Sequence, residues 1–164
     1  MSKPVIWCEQ HPSPPDHAVT GRNATLALAA ANTSAIKLGT GVAIAGTRIA
    51  PVTAHSIASI QRIAPGRVFL GIGTGHTAMR VMGFDPVPGR EFREYLRVVR
   101  GLLHGEEVEY THRGETRPIR FLHEELGFLE LEPRVPIYVA ANGPIALAAA
   151  GEFGDGRISA GTEA

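Results

Sequence analysis

The chain has 164 residues, 44% of them hydrophobic and 20% charged, with Lys plus Arg equal to Asp plus Glu at 16 each. That length suits one globular domain with its own core, and the neutral balance offers no electrostatic footprint for nucleic acid or an anionic membrane surface. One cysteine, Cys8, excludes an internal disulfide, and no apolar run approaches the ~20 residues of a membrane span, so the expected location is cytoplasmic.

In chain order, Val5-Ile6-Trp7-Cys8 reads as a short strand that ends in Glu9-Gln10-His11, and the proline-rich stretch His11 to Asp16 reads as a loop. Asn23 is the expected cap of a helix from Ala24 to about Asn32. Ile36 to Ile44 reads as a strand interrupted by Gly39 and Gly41. Pro51 suits the first turn of a second helix, with Ile57, Ile60 and Ala64 at helical spacing. Pro65-Gly66 stops that helix, and Val68-Phe69-Leu70 forms a buried strand running into Gly71-Ile72-Gly73-Thr74-Gly75.

A third helix is expected from Pro88 to Leu103, with Phe92, Leu96, Val99 and Leu103 on one stripe. Val108 to Phe121 reads as a hairpin turning near Arg113-Gly114, inside an insertion of about residues 105–135. Pro136 to Ala141 is a further buried strand, Pro144 opens a helix through Ala150, and Arg157-Ile158-Ser159 begins another strand. Apolar strands alternating with amphipathic helices indicate an α/β fold with a parallel sheet covered by helices, in about five β/α units.

In such folds the functional rim lies at the carboxyl ends of the strands. Four strand ends carry unusual residues: Glu9-Gln10-His11, Gly39-Thr40-Gly41-Val42, Gly71 to His76, and Ala141-Asn142-Gly143-Pro144. Glycines there let a flat ring or a phosphate approach the backbone, and Asn142-Gly143 before Pro144 presents N–H groups at a helix start. The glycine run is spaced G-x-G-x-G, with His76 where a dinucleotide fingerprint needs its third glycine, and neither a phosphate-binding P-loop nor a nucleophile elbow occurs.

Cys8, His11 and His17 lack a second ligand pair at fixed spacing, so no metal is expected. His55 reads as a packing residue within a helix, and His104, His112 and His123 read as solvated. Arg90, Arg93, Arg97 and Arg100 trace one helical face and, beside Glu91 and Glu94, read as a solvated stripe.

Taken in order, these segments resemble a known family. Thr33 to Val42, Arg67 to Gly75 and Val135 to Pro144 look like strand regions of luciferase-like monooxygenases, and Arg93 to Glu106 is similar to a helix joining them. Gly71 to Arg80 (GIGTGHTAMR) looks closest to the deazaflavin-dependent branch that includes methylenetetrahydromethanopterin reductase.

The resemblance covers nearly the whole chain from Val5 and implies a partial TIM (β/α)₈ barrel, residues 1–164 forming one incomplete barrel domain. It implies coenzyme F420 or FMN as cofactor, a ring seated over the barrel mouth against a bulged third strand, and in that strand a non-prolyl cis peptide at Gly41–Val42. It implies cofactor contacts from Gly41, Val42, Thr74, Gly75, Ala141, Asn142 and Gly143, with the cofactor phosphate near Thr74-Gly75 and Asn142-Gly143. Glu9, His11 and His76 become the candidate acid or base residues; several deazaflavin enzymes carry an acidic residue where this chain has His76.

The expected activity is hydride transfer between a flavin or deazaflavin and a small organic substrate. The alternatives are an FMN-dependent monooxygenase using molecular oxygen and a non-catalytic flavin-binding remnant. An unclosed sheet predicts a homo-oligomer or association with missing barrel strands, with Val5, Trp7, Leu38, Phe69 and Tyr138 contributing to an exposed apolar surface.

Overall fold

The computed structural model describes residues 5–8, 22–122 and 126–159. Its elements are β1 (Val5–Cys8), α1 (Arg22–Asn32), β2 (Lys37–Thr40), β3 (Ala43–Ile44), a 3-10 turn (Ala45–Thr47), α2 (Ala50–Ile63) and β4 (Val68–Gly73). They continue with α3 (His76–Val81), α4 (Gly89–Leu103), β5 (Val108–His112), β6 (Glu115–Ile119), β7 (Ile137–Ala140), α5 (Pro144–Phe153) and β8 (Gly156–Ile158).

Strands pair in the order β1-β2-β4-β7-β8, with β3 also on β4, and every pairing in this sheet is parallel. The order never reverses along the sequence. A doubly wound sheet reverses at its switch point, whereas successive strands laid side by side in one direction are the arrangement of a (β/α) barrel wall. The hairpin β5–β6 stands apart as an antiparallel pair, turning through Arg113 (φ 53°) and Gly114 (φ 83°), where the sequence predicts it.

β2 and β3 are two halves of one strand. Leu38 registers with Val68 and Ala43 with Ile72, so five steps on one strand match four on the other. The extra residue is a bulge, and it exchanges the faces of everything that follows. Leu38 faces the helices, while Ile44 registers with Gly73 on the opposite face.

The main core lies between the sheet and its helices. Leu38, Val68, Leu70, Ile72, Ile137 and Val139 alternate onto that face and are buried against Leu26, Ile57, Phe92 and Leu96. The other face carries Gly39, Phe69, Gly71, Gly73, Tyr138 and Ala140. There the Phe69 and Tyr138 rings meet edge to face at 5.5 Å, and a Cβ at Gly39 would overlap the Phe69 ring.

Several expectations need correcting. Leu38 does not add to an exposed surface: it is wholly buried beneath the helices, and Phe69 is 6% exposed, so of the expected apolar set only half-buried Tyr138 meets solvent among the described side chains. The Val5 and Trp7 side chains lie outside the described part of the structure. Asn23 does not cap α1, because the helix already includes Arg22 and the Asn23 amide donates to Ser56 Oγ at 2.8 Å. The short helix α3 lies between Gly75 and Pro88, where the sequence reading places no element.

The arginine stripe is not simply solvated. Arg93 donates twice to Glu152 and lies 5.4 Å from the centre of the Phe153 ring, while Arg100 donates to the Phe153 carbonyl at 2.8 Å. These bonds tie α4 to the end of α5. No helix among the described residues is long and apolar enough to cross a membrane.

Candidate functional site

The chain's strand ends build a cavity. β3, β4 and β7 point their carboxyl ends the same way, and between them opens a cavity of about 230 Å³ lined by Gly41, Val42, Ile44, Gly73, Thr74, Gly75, His76, Thr77, Ala78, Ala140 and Asn142. Small residues hold it open. A Cβ at Gly73 would lie 3.1 Å from the Ala140 Cβ and 3.4 Å from a Val42 methyl, so any larger residue there would project into the space.

The wall at Gly41–Val42 is where the bulged strand breaks. The peptide bond there is cis, at the position the resemblance implies. The Thr40 hydroxyl, 1% exposed, donates to the Gly71 carbonyl at 2.6 Å and pins the strand to β4 just before the break. A Cβ at Gly71 would overlap the Thr40 carbonyl oxygen, so the two backbones touch only because position 71 is glycine.

The loop after β4 turns on Gly75, whose φ of 83° is left-handed, and α3 starts directly behind it. The Thr74 carbonyl accepts from Val87 N at 3.1 Å, and the Gly75 carbonyl accepts from Met79 N at 2.9 Å. His76 is thereby set at the first turn of α3, exposed and on the cavity wall.

On β7, alternation sends Ile137 and Val139 to the core and Ala140 towards the cavity, and Asn142 follows on the rim. Gly143 is the residue before α5, and its carbonyl accepts from Leu147 N at 2.9 Å.

The structure therefore brings Gly41, Val42, Thr74, Gly75, His76 and Asn142 to one cavity. Two candidates stand off it. Ala141 is 1% exposed, with its N–H towards the Ile158 carbonyl at 3.4 Å, and Gly143 lies at the start of α5 outside the lining. Glu9, His11 and His17 lie outside the described residues.

Sequence reasoning missed Ile44, Thr77, Ala78 and Ala140. Ala140 was signalled by its two-residue offset from Tyr138, Ile44 only by the bulge that the resemblance implies and that alternation does not locate, and Thr77 and Ala78 by a helix too short to show a periodicity. Among the described residues no group of three or more His, Cys, Asp or Glu side chains is placed to hold a metal ion.

The sequence model of luciferase-like monooxygenases matches residues 6–164. A 5,10-methylenetetrahydromethanopterin reductase of Methanolobus tindarius is 42% identical over 136 residues, covering 82% of this chain and 40% of the relative. An F420-dependent hydroxymycolic acid dehydrogenase of Mycobacterium tuberculosis is 36% identical over 142 residues, covering 82% of this chain and 38% of the relative.

Among solved structures, the coenzyme F420 dependent tetrahydromethanopterin reductase of Methanopyrus kandleri superposes with a TM-score of 0.69 at 28% identity, covering 95% of this chain and 47% of that one. The chain spans less than half the length of each of these relatives.

Proposed function

The chain belongs to the luciferase-like monooxygenase family, and from that premise we propose that it forms the cofactor-holding wall of a deazaflavin- or flavin-dependent oxidoreductase acting on a small organic substrate. The observation that carries this reading is the convergence of Gly41, Val42, Thr74, Gly75, His76 and Asn142 on one cavity at the carboxyl ends of parallel strands. Coenzyme F420 is the preferred cofactor, because the hydroxymycolic acid dehydrogenase, 36% identical over the aligned residues, and the Methanopyrus kandleri reductase, 28% identical, carry it in their names. FMN is the alternative.

The residues present fit a flat ring with a phosphate at one end. Gly73 and Ala140 leave a face free of side chains, and Val42 flanks it. The turn at Thr74-Gly75 and the start of α5 at Asn142-Gly143 offer backbone N–H groups of the kind that hold a phosphate. When bound, the deazaflavin or flavin supplies the ring position that accepts or gives a hydride.

The chain's own contribution is position, exclusion of water from the cavity and a proton. The His76 imidazole, on the wall, holds or moves that proton, and Glu9 and His11 are proposed for the same transfer. The cavity's ~230 Å³ falls short of the ~300–1,000 Å³ of complete ligand sites. Turnover therefore requires further walls, from the remaining strands of a barrel or from a second copy meeting β1 and β8, the outer strands of the sheet among the described residues. A cytoplasmic location belongs to the same proposal.

The test is a titration of coenzyme F420 and of FMN with the purified chain, followed by cofactor fluorescence. Saturable quenching is expected for the wild type, and its loss is expected in Gly73→Leu with an unchanged far-UV circular dichroism spectrum. Neither cofactor responding to the wild-type chain would overturn the reading.

A further inference from the structure

The chain holds three asparagines, Asn23, Asn32 and Asn142, in unlike surroundings. The two in α1 are tied: the Asn23 amide donates to Ser56 Oγ at 2.8 Å, and the Asn32 amide donates to the Leu28 carbonyl at 2.8 Å. Each is followed by a residue with a side chain, Ala24 and the β-branched Thr33. Asn142 differs on every count. It is exposed on the rim of the strand-end cavity, between β7 and α5. Its side chain makes no hydrogen bond among the described residues, and neither does the N–H of Gly143, which follows it. Gly143 is exposed too, and a Cβ there would meet nothing within 4 Å.

The carbonyl carbon of an asparagine amide is an electrophile, and a five-membered ring closes when the next backbone nitrogen reaches it. A glycine at the next position leaves that nitrogen uncrowded and frees the backbone to bend towards the side chain. Asp155-Gly156 shows what prevents such an approach. Asp155 Oδ2 accepts from Ile137 N at 2.8 Å, Arg100 donates to Oδ1 at 3.4 Å, and Gly156 is paired with Tyr138 in the sheet. None of these restraints acts on Asn142-Gly143.

We propose that Asn142-Gly143 is a site of spontaneous covalent modification, at which the chain's own backbone converts the Asn142 amide to a carboxylate. The Gly143 nitrogen gives its proton to hydroxide and attacks Asn142 Cγ. The N–Cγ bond forms, the Cγ–Nδ2 bond breaks, and Nδ2 takes up a proton from water and leaves as ammonia. Water then opens the cyclic imide. Opening at Cγ gives aspartate, and opening at the main-chain carbonyl gives isoaspartate, with the backbone rerouted through the side chain. Nothing is oxidised or reduced: amide plus water becomes acid plus ammonia.

The consequence for the site rests on the function proposed above. A carboxylate at position 142 brings negative charge to the rim where the cofactor phosphate is proposed to sit, and the two repel. The same charge lies one residue before Gly143, at the start of α5, where a helix favours it. The fold therefore tolerates a change that closes the phosphate end of the cavity.

The test incubates the purified chain at mildly alkaline pH and follows its tryptic peptides by mass spectrometry. Val135 to Arg157 is one such peptide and Asn142 is its only amide side chain, so an amide-to-acid mass gain there reports this residue. Conversion at Asn142 is expected well ahead of Asn23 and Asn32, and faster as pH rises. Gly143→Ala keeps the fold, because a φ of −105° suits any residue and the added Cβ meets open space. It should slow the conversion about tenfold or more, by crowding the attacking nitrogen. An Asn142 amide that survives the incubation, a rate matched at Asn23 or Asn32, or a rate unchanged in Gly143→Ala would overturn the proposal. For the site, dissociation constants of FMN and of phosphate-free riboflavin are measured for the wild type and for Asn142→Asp. FMN binding weakened about tenfold or more, with riboflavin binding unchanged, is the expected result. Equal FMN binding by both proteins would overturn the closure of the site, and a wild type that binds neither ligand would overturn the flavin reading, while the mass measurement decides the modification in either case.

Discussion

Gly75 and Gly83 share the same left-handed backbone, each with φ of 83°, in different surroundings. That coincidence separates two costs usually confounded. A Cβ at Gly83 meets nothing within 4 Å, whereas one at Gly75 would overlap the Ile44 Cγ2 methyl and approach Met79 Cγ to 2.8 Å. Gly83→Ala therefore incurs only the conformational term, about 1–2 kcal/mol. Gly75→Ala adds an overlap in a packed corner, worth about 1–3 kcal/mol more, for a total of about 2–5 kcal/mol.

The assay is urea denaturation of both variants and the wild type, followed by far-UV circular dichroism at one protein concentration. Against a typical stability of about 5–15 kcal/mol the Gly75 loss is large, and the overlap also moves Met79 and Ile44, the latter a wall of the proposed ring cavity. If the two variants lose the same free energy within about 0.5 kcal/mol, the packing argument at Gly75 is refuted.

Thr40→Val keeps shape but removes the buried 2.6 Å bond to the Gly71 carbonyl, and a loss of about 1 kcal/mol is expected from the same denaturation measurement; no loss would show that the bond does not pin the strand. His104, expected from the sequence to be solvated, has a side chain only 14% exposed, and its pKa lies below the ordinary imidazole value, chiefly because burial disfavours its charged form and secondarily because Arg134 and Arg100 repel a proton there. The unfolded chain then binds the proton more readily, so this stabilisation is present above about pH 6.5 and is lost as pH falls through that value towards the depressed folded pKa. His104→Gln should flatten the stability-versus-pH curve in that window, and an unaltered slope would reject the assignment.

Where local chemistry decides structure, the fold was legible. Pro51 and Pro144 each open a helix, Arg113-Gly114 turns the hairpin, and the stripe of Phe92, Leu96 and Val99 packs as its spacing demands. Misreadings occurred where a distant partner decides. Asn23 is a good capping residue, yet its amide is taken by Ser56, 33 residues on. Arg93 and Arg100 read as solvated because Glu152, Phe153 and Asp155 lie more than 50 residues away. Leu38 was assigned to the wrong face because a strand's alternation says which residues share a face, not which face carries the helices.

The candidate site divides along the same line. The glycines at 73 and 75 were visible because the lack of a side chain is what shapes the cavity: a Cβ at Gly73 would approach Ala140 and Val42, and Gly75 is left-handed. Ile44 was invisible for the converse reason. Its place on the cavity wall depends on one extra residue between Leu38 and Ala43 relative to Val68 and Ile72. Without that bulge, strict alternation would keep Ile44 on the same face as Leu38, beneath the helices. The bulge thus turns the end of an ordinary core strand into a cavity wall at Val42 and Ile44, and it does so around Gly41, on either side of which Thr40 and Val42 have opposite duties. Thr40 fastens the strand from the helix side through Gly71, and Val42 faces Gly73 across the mouth. The cavity wall at this rim accordingly depends on a register shift, which no single residue announces and which the pairing of β2 and β3 with β4 makes explicit.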